Sequence, residues 1–133
     1  VADYRSLGLT LGPHPLRLLR DRLATRRFLS ARGLAEQPDR ALARMAGIVT
    51  CRQRPGTASG VVFVTLEDET GLANIVIYGR LADRQRRELL GARLLGVLGQ
   101  VQREGEVVHL VAGRLVDLST WLGALETVSR DFH

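Results

Sequence analysis

The sequence predicts a mainly β fold: a small five-stranded barrel, one helix between its third and fourth strands, and a short helical lead-in. Three observations carry this. Val61 to Ile77 is two apolar, β-branched runs joined by the acidic turn Glu67-Asp68-Glu69-Thr70-Gly71, a strand–turn–strand pattern. An earlier apolar run ends in Arg52-Gln53-Arg54-Pro55-Gly56. A helical stretch and two further strand-like runs follow the hairpin.

Taken in order, residues 1–40 differ from the rest. Asp3-Tyr4, Gly8, Gly12, Pro13 and Pro15 make an irregular start. Leu16, Leu19 and Leu23 then recur at helical spacing, with Pro15 placed for a first turn and Arg17, Arg20 and Arg22 between the leucines. A second short helix is expected over Phe28 to Ala35, stopped by Pro38-Asp39. Residues 1–40 are too small for an independent domain and are expected to be a lead-in packed on the barrel, or the tail of an upstream domain. Residues 41–118 are expected to be the barrel and 119–133 a short tail around Trp121. The strands are expected at about Leu42 to Arg52, at the two arms of the hairpin, at Arg93 to Gln102 and at Val107 to Leu118. Gly47 allows the coiling a small barrel needs, Gly79 to Leu90 is the intervening helix, and Gly113 marks a bulge. The order β1-β2-β3-α-β4-β5 is that of the OB fold, a scaffold that binds oligonucleotides or oligosaccharides.

A length of 133 residues allows one domain with a real core, and 45% hydrophobic against 25% charged residues is a globular composition. No apolar run approaches the roughly 18 residues of a membrane helix, and no signal peptide is visible. The chain begins at Val1 rather than Met, as expected of a segment of a longer protein. One cysteine, Cys51, forms no internal disulfide, which points to a reducing cytoplasm; it is expected to be a small core hydrophobe in a strand. One Cys and three scattered His offer no zinc site of usual spacing.

All 19 basic residues are Arg, and the net charge is +5. Its placement says more than its total. Residues 1–60 hold 11 Arg against 4 acids, a net of +7, whereas residues 61–133 hold 8 Arg against 10 acids, a net of −2. A polyanion partner is one reading, because neutralised phosphates release counterions; a solvated Arg face is the other.

Period-2 alternation sorts the hairpin into two faces. Val62, Val64 and Leu66 on one strand, and Ala73, Ile75 and Ile77 on the next, are uniformly apolar and are expected to fill the barrel. Phe63, Asn74 and Tyr78 then lie outside, on strands 2 and 3. Phe63 offers a ring for base stacking, worth about 1–3 kcal/mol per base. Asn74 offers a donor and an acceptor to a base edge. Arg52 and Arg54 flank the first loop and Arg103 opens the last, so the three are candidates to track a phosphate backbone. His109 is expected to be half-buried on strand 5, and the acids Glu67-Asp68-Glu69 to be polar turn residues with no catalytic part.

The residues Ala46-Gly47-Ile48-Val49, Arg52 to Ala58 and Gly60 to Gly71 resemble the C-terminal OB domain of bacterial C-family DNA polymerase alpha subunits, in their error-prone, damage-tolerant branch. Gln102 to His109, the ending Ser129-Arg130-Asp131-Phe132-His133, and the lead-in residues Asp3-Tyr4, Gly8 to Gly12 and His14-Pro15-Leu16 resemble it too. The hairpin core is also shared by the anticodon-binding domains of class II tRNA synthetases, in which residues matching Phe63 and Asn74 stack on and hydrogen-bond to single-stranded bases. The resemblance implies a segment of a DNA-directed DNA polymerase, a nucleotidyltransferase of DNA replication and repair used after DNA damage, in a bacterial cytoplasm. It implies Mg²⁺ held by carboxylates of a palm domain outside this chain, and so no catalytic residue or cofactor here. It implies that the barrel holds single-stranded template DNA or docks accessory mutagenesis proteins. With only Phe63 and Tyr78 as aromatics on the ligand face, weak and sequence-independent binding is expected. The competing readings are a protein-docking module using the barrel edge or the Trp121 tail, and an anticodon-type RNA-binding domain.

Overall fold

Strands form where aliphatic and β-branched residues alternate between two environments, and five such runs close on one another in the computed structural model, which describes residues 14–54 and 60–123. They are β1 (Leu42–Gln53), β2 (Val62–Asp68), β3 (Gly71–Ile77), β4 (Leu94–Glu104) and β5 (Val107–Asp117). The order around the closed barrel is β1-β2-β3-β5-β4. All pairings are antiparallel except β3 with β5, which run parallel through Asn74↔His109, Ile75↔Leu110 and Val76↔Val111. This is the mainly β, five-stranded OB barrel the sequence predicts.

The alternation holds through the hairpin. Val62, Val64, Leu66, Ala73, Ile75 and Ile77 are all buried, and they meet Met45, Leu95, Val97, Leu110 and Leu115 in the barrel core. Gly47 is required by crowding: a Cβ there would stand 2.9 Å from Leu66 Cβ and 3.0 Å from the Glu67 carbonyl oxygen. The bulge expected at Gly113 is present, since Leu98 pairs with Arg114 and Gly99 with Ala112, leaving Gly113 unopposed. A second bulge, at Thr50, separates the pairs Val49↔Leu66 and Cys51↔Thr65. It turns Cys51 outward onto the row of Thr65, half-buried rather than in the core.

The single helix expected between strands 3 and 4 is broken in two, α4 (Gly79–Arg84) and α5 (Arg86–Gly91). The break is at Gln85, whose side-chain amide donates to the Leu115 carbonyl at 2.9 Å and accepts from the Leu115 N–H at 2.7 Å. A side chain thus pairs with β5 as a strand would, at the expense of helical continuity.

The lead-in carries α1 (Pro15–Leu18), α2 (Arg20–Thr25) and α3 (Ala31–Ala35), numbered before the barrel's helices. Leu16, Leu19, Leu23 and Phe28 form a second core with Ala46, Leu94, Leu118, Trp121 and Leu122, on the outside of the barrel wall. Trp121 is 7% exposed, and the Arg22 guanidinium lies 3.9 Å from its ring centroid, so the tail at this residue is occupied within the chain. The acids of the hairpin turn do more than solvate it. Asp68, 3% exposed, accepts from the Ala31 N–H at the start of α3, from Arg20 Nη2, and from Thr70 and Gly71 of its own turn. Glu69 accepts two bonds from Arg20, each 2.7 Å. The hairpin turn therefore latches the lead-in, a role that turn composition alone does not reveal.

Candidate nucleic-acid interface

The face opposite the barrel core on β2 and β3 follows from the same register. Directly opposed residues share a face, so Gln53, Phe63, Val76 and Val111 make one outward row across β1, β2, β3 and β5. Cys51, Thr65, Asn74, His109 and Gln102 make the next. Phe63 is 40% exposed near the start of β2, and Val76 beside it is only 7% exposed. A ring lying open beside exposed Gln53, with exposed Asn74 on the adjacent row, combines a stacking platform with donors and acceptors for base edges.

The predicted site residues do not all meet there. Phe63 and Asn74 share the face on adjacent rows. Tyr78, 51% exposed, stands just past β3 as the residue preceding α4, without a side-chain cap bond. Arg54 is exposed at the end of β1. The loop that follows it, residues 55–59, lies outside the described residues.

Arg52 and Arg103 are engaged elsewhere. The bulge at Thr50 puts Arg52 opposite Val64, on the core-facing side at the barrel's end. There its guanidinium donates to the Leu89 carbonyl at 2.7 Å and the Ala92 carbonyl at 2.6 Å, closing the end of α5. Arg103 Nη2 donates to the carbonyls of Ala35 and Gln37, and its backbone N–H donates to Asp39. Both arginines hold the lead-in or helix to the barrel, and neither guanidinium lies free beside Phe63.

Tyr78 and Arg103 do share a cleft of about 590 Å³ with Asp39, Arg40, Gln100, Gln102, Glu104 and Val111, on the β5 and β4 side of the barrel, two to three strands round from Phe63. Gln102 and His109, in the row of Asn74, and Gln100, in the row of Phe63, escape single-strand alternation because only the β3–β5 and β4–β5 registers bring them onto this face.

The Arg20 hydrogen bond holds the Glu69 carboxyl below its ordinary value, against the opposing effect of burial, and Glu69 in turn raises Arg20. Among the described residues, no group of His, Cys, Asp and Glu is placed to hold a metal ion, and no helix is long and apolar enough to cross a membrane.

Over residues 43–118 the chain matches the family model of the OB-fold nucleic acid binding domain. It is 72% identical over all 133 residues to an error-prone DNA polymerase of Azoarcus sp. (strain BH72), of which it covers 12%. It is 69% identical to that of Dechloromonas aromatica (strain RCB), of which it covers 13%. The chain thus corresponds to about an eighth of the curated relatives it matches. Among solved structures, asparaginyl-tRNA synthetase from Pyrococcus horikoshii superposes with a TM-score of 0.57 at 18% identity, covering 68% of this chain and 23% of that one. An OBody bound to hen egg-white lysozyme gives a TM-score of 0.57 at 14% identity, covering 69% and 91%. These structural likenesses show the fold. With the barrel order, the core alternation and a family match over more than half of its length, the chain belongs to the OB-fold nucleic acid binding domain family.

Proposed function

We propose that this chain is a segment of an error-prone DNA polymerase, and that its barrel holds single-stranded template DNA during damage-induced translesion synthesis. The observation that carries this is Phe63, 40% exposed on the outer face of β2 with the exposed amides of Gln53 beside it and Asn74 on the adjacent row. The relatives' name, error-prone DNA polymerase, supports this reading, in which the whole enzyme is a nucleotidyltransferase of replication and repair. Nucleotide addition, with Mg²⁺ on palm-domain carboxylates, belongs to parts of the polymerase beyond this chain, and the setting is the bacterial cytoplasm. In this reading bases stack on Phe63 and Tyr78, Asn74 takes a base edge, and Arg54 meets phosphate.

The test is fluorescence anisotropy of a labelled 12-nucleotide oligo-dT with the 133-residue chain at two salt concentrations. Binding is expected to weaken with salt and to fall about five- to 150-fold in Phe63→Ala, from a stacking contribution of about 1–3 kcal/mol. Absence of DNA binding even at low salt overturns the reading, and tighter binding to an RNA loop favours the anticodon-type alternative.

One observation favours a second reading, docking of accessory mutagenesis proteins. Leu72 and Val107 are 62% and 50% exposed, each two residues before the parallel pair Asn74↔His109 on its strand, so they make a small apolar patch beside the polar face.

A further inference from the structure

A strand of nucleic acid needs cations along its phosphates, and the stacking face is short of them. Arg52 and Arg103 are spent on backbone carbonyls, and residues 61–133 are net acidic. The excess of arginine lies in residues 1–60.

The outward row that starts at Gln53 and Phe63 does not stop at β5. It passes through Val111 to Gln100 on β4 and then to Leu42 at the start of β1, where it is 84% exposed. From Phe63 to Leu42 is four interstrand steps, about 19 Å along the barrel surface at roughly 4.8 Å each. The cleft of Tyr78, Gln100 and Arg40 adjoins a second cleft of about 500 Å³, lined by Arg27, Leu42, Arg44 and Leu98. The paired residues Gln100 and Leu42 stand at the junction.

The backbone points to the same arginines. Among the described residues, the non-glycine residues with positive φ are Arg27 (64°) and Arg40 (71°), one in each cleft. Arg27 follows α2 just after the Arg26 cap, and the Phe28 N–H closes back on the Leu23 carbonyl at 2.9 Å. Glycine is the residue this helix ending favours. An arginine in the left-handed region strains the backbone, and such strain collects at sites of function. Arg40 is exposed, its Nε 4.0 Å from the half-exposed Asp39, and Arg44 is exposed with one weak 3.5 Å bond from Nη1 to the Arg26 carbonyl.

We propose that the single strand leaves the Phe63 face across the parallel β3–β5 seam, crosses β4 at Gln100, and ends over the start of β1, with Arg40, Arg44 and Arg27 on its phosphates. This rests on the single-strand-binding reading above and extends its footprint to the lead-in. Bases meet polar amides and Tyr78 in the first cleft, and the apolar Leu42 in the second.

The strain supplies a variant that keeps the fold. Arg27→Gly with Arg40→Gly removes two cations while placing glycine where φ is positive, so the midpoint of thermal unfolding is expected to be unchanged or higher. Labelled oligo-dT of 5 and 12 nucleotides is titrated over a salt series, with Phe63→Ala in parallel. The double variant is expected to lower the salt slope for the 12-mer by about 1.4, two phosphates at about 0.7 each for single strands, and to abolish the advantage of the 12-mer over the 5-mer. Phe63→Ala is expected to weaken both lengths alike. Arg44→Gln, which leaves the backbone untouched, is expected to lower the slope by about 0.7. Unchanged 12-mer slope and affinity in these arginine variants, with Phe63→Ala still weakened, overturns the extended path and leaves the stacking face standing. No binding of either length by the unmodified chain removes both.

Discussion

Replacing Asp68 by alanine is expected to cost the chain about 3–4 kcal/mol. The carboxylate side chain has no exposed surface. Its Oδ2 accepts the Ala31 N–H at 2.7 Å and Arg20 Nη2 at 3.2 Å. Its Oδ1 accepts the Thr70 N–H and hydroxyl, each at 2.7 Å, and the Gly71 N–H at 3.1 Å. In Asp68→Ala the buried Ala31 donor loses its partner, which alone costs about 1–3 kcal/mol. The turn donors recover partly through water, and Arg20 keeps Glu69, so the total stays near the lower part of the roughly 3–5 kcal/mol found when one side of a buried ionic network is removed. Asp68→Asn should lose less, about 2 kcal/mol, because its remaining oxygen still serves the turn while its amide faces two donors. Urea unfolding followed by circular dichroism measures both, with the slope checked for constancy. Trypsin gives an independent reading: cleavage after Arg26, Arg27 and Arg32 should accelerate in Asp68→Ala as the lead-in detaches. A loss under about 1 kcal/mol with unchanged cleavage would refute the latch.

Glu69 is held below its ordinary value of 4.5 by Arg20, so its contribution is present above that value and disappears as pH falls through the lower folded one; Glu69→Gln should flatten the stability–pH curve in that acid range, measured by thermal melts. A Cβ on Gly99 would lie 2.0 Å from the Val111 carbonyl oxygen, so Gly99→Ala must part β4 from β5 and is expected to lose at least about 3 kcal/mol, whereas Gly91→Ala, with open space around it, should stay within about 0.5 kcal/mol in the same melts.

The hairpin was legible because its two side-chain sets differ in kind: Val62, Val64 and Leu66 against Phe63, Thr65 and Glu67 leave one assignment that buries a continuous core. The barrel order followed from element order, and the Gly113 bulge from a glycine interrupting an apolar run. Arg52 was not legible. Strict alternation from buried-side Val49 turns it outward, and one extra residue at Thr50 reverses it toward the carbonyls of α5. Bulges depend on the partner strand, which a single run of residues does not specify. Gln100, Gln102 and His109 stayed hidden for a related reason: their company is set by pairings between segments distant in sequence. Asp68 read as an ordinary turn acid because its decisive partner, the Ala31 N–H, lies 37 residues earlier.

The second core has a consequence for what counts as the domain. The family match spans 43–118, yet Leu16, Leu19, Leu23 and Phe28 before it and Trp121 and Leu122 after it bury the same wall. A protein cut to the matched span would present Ala46, Leu94 and Leu118 to water as a bare apolar stripe and would be prone to self-association. The packed unit therefore reaches at least from Leu16 to Leu122, and its ends are tied to each other through the wall they share.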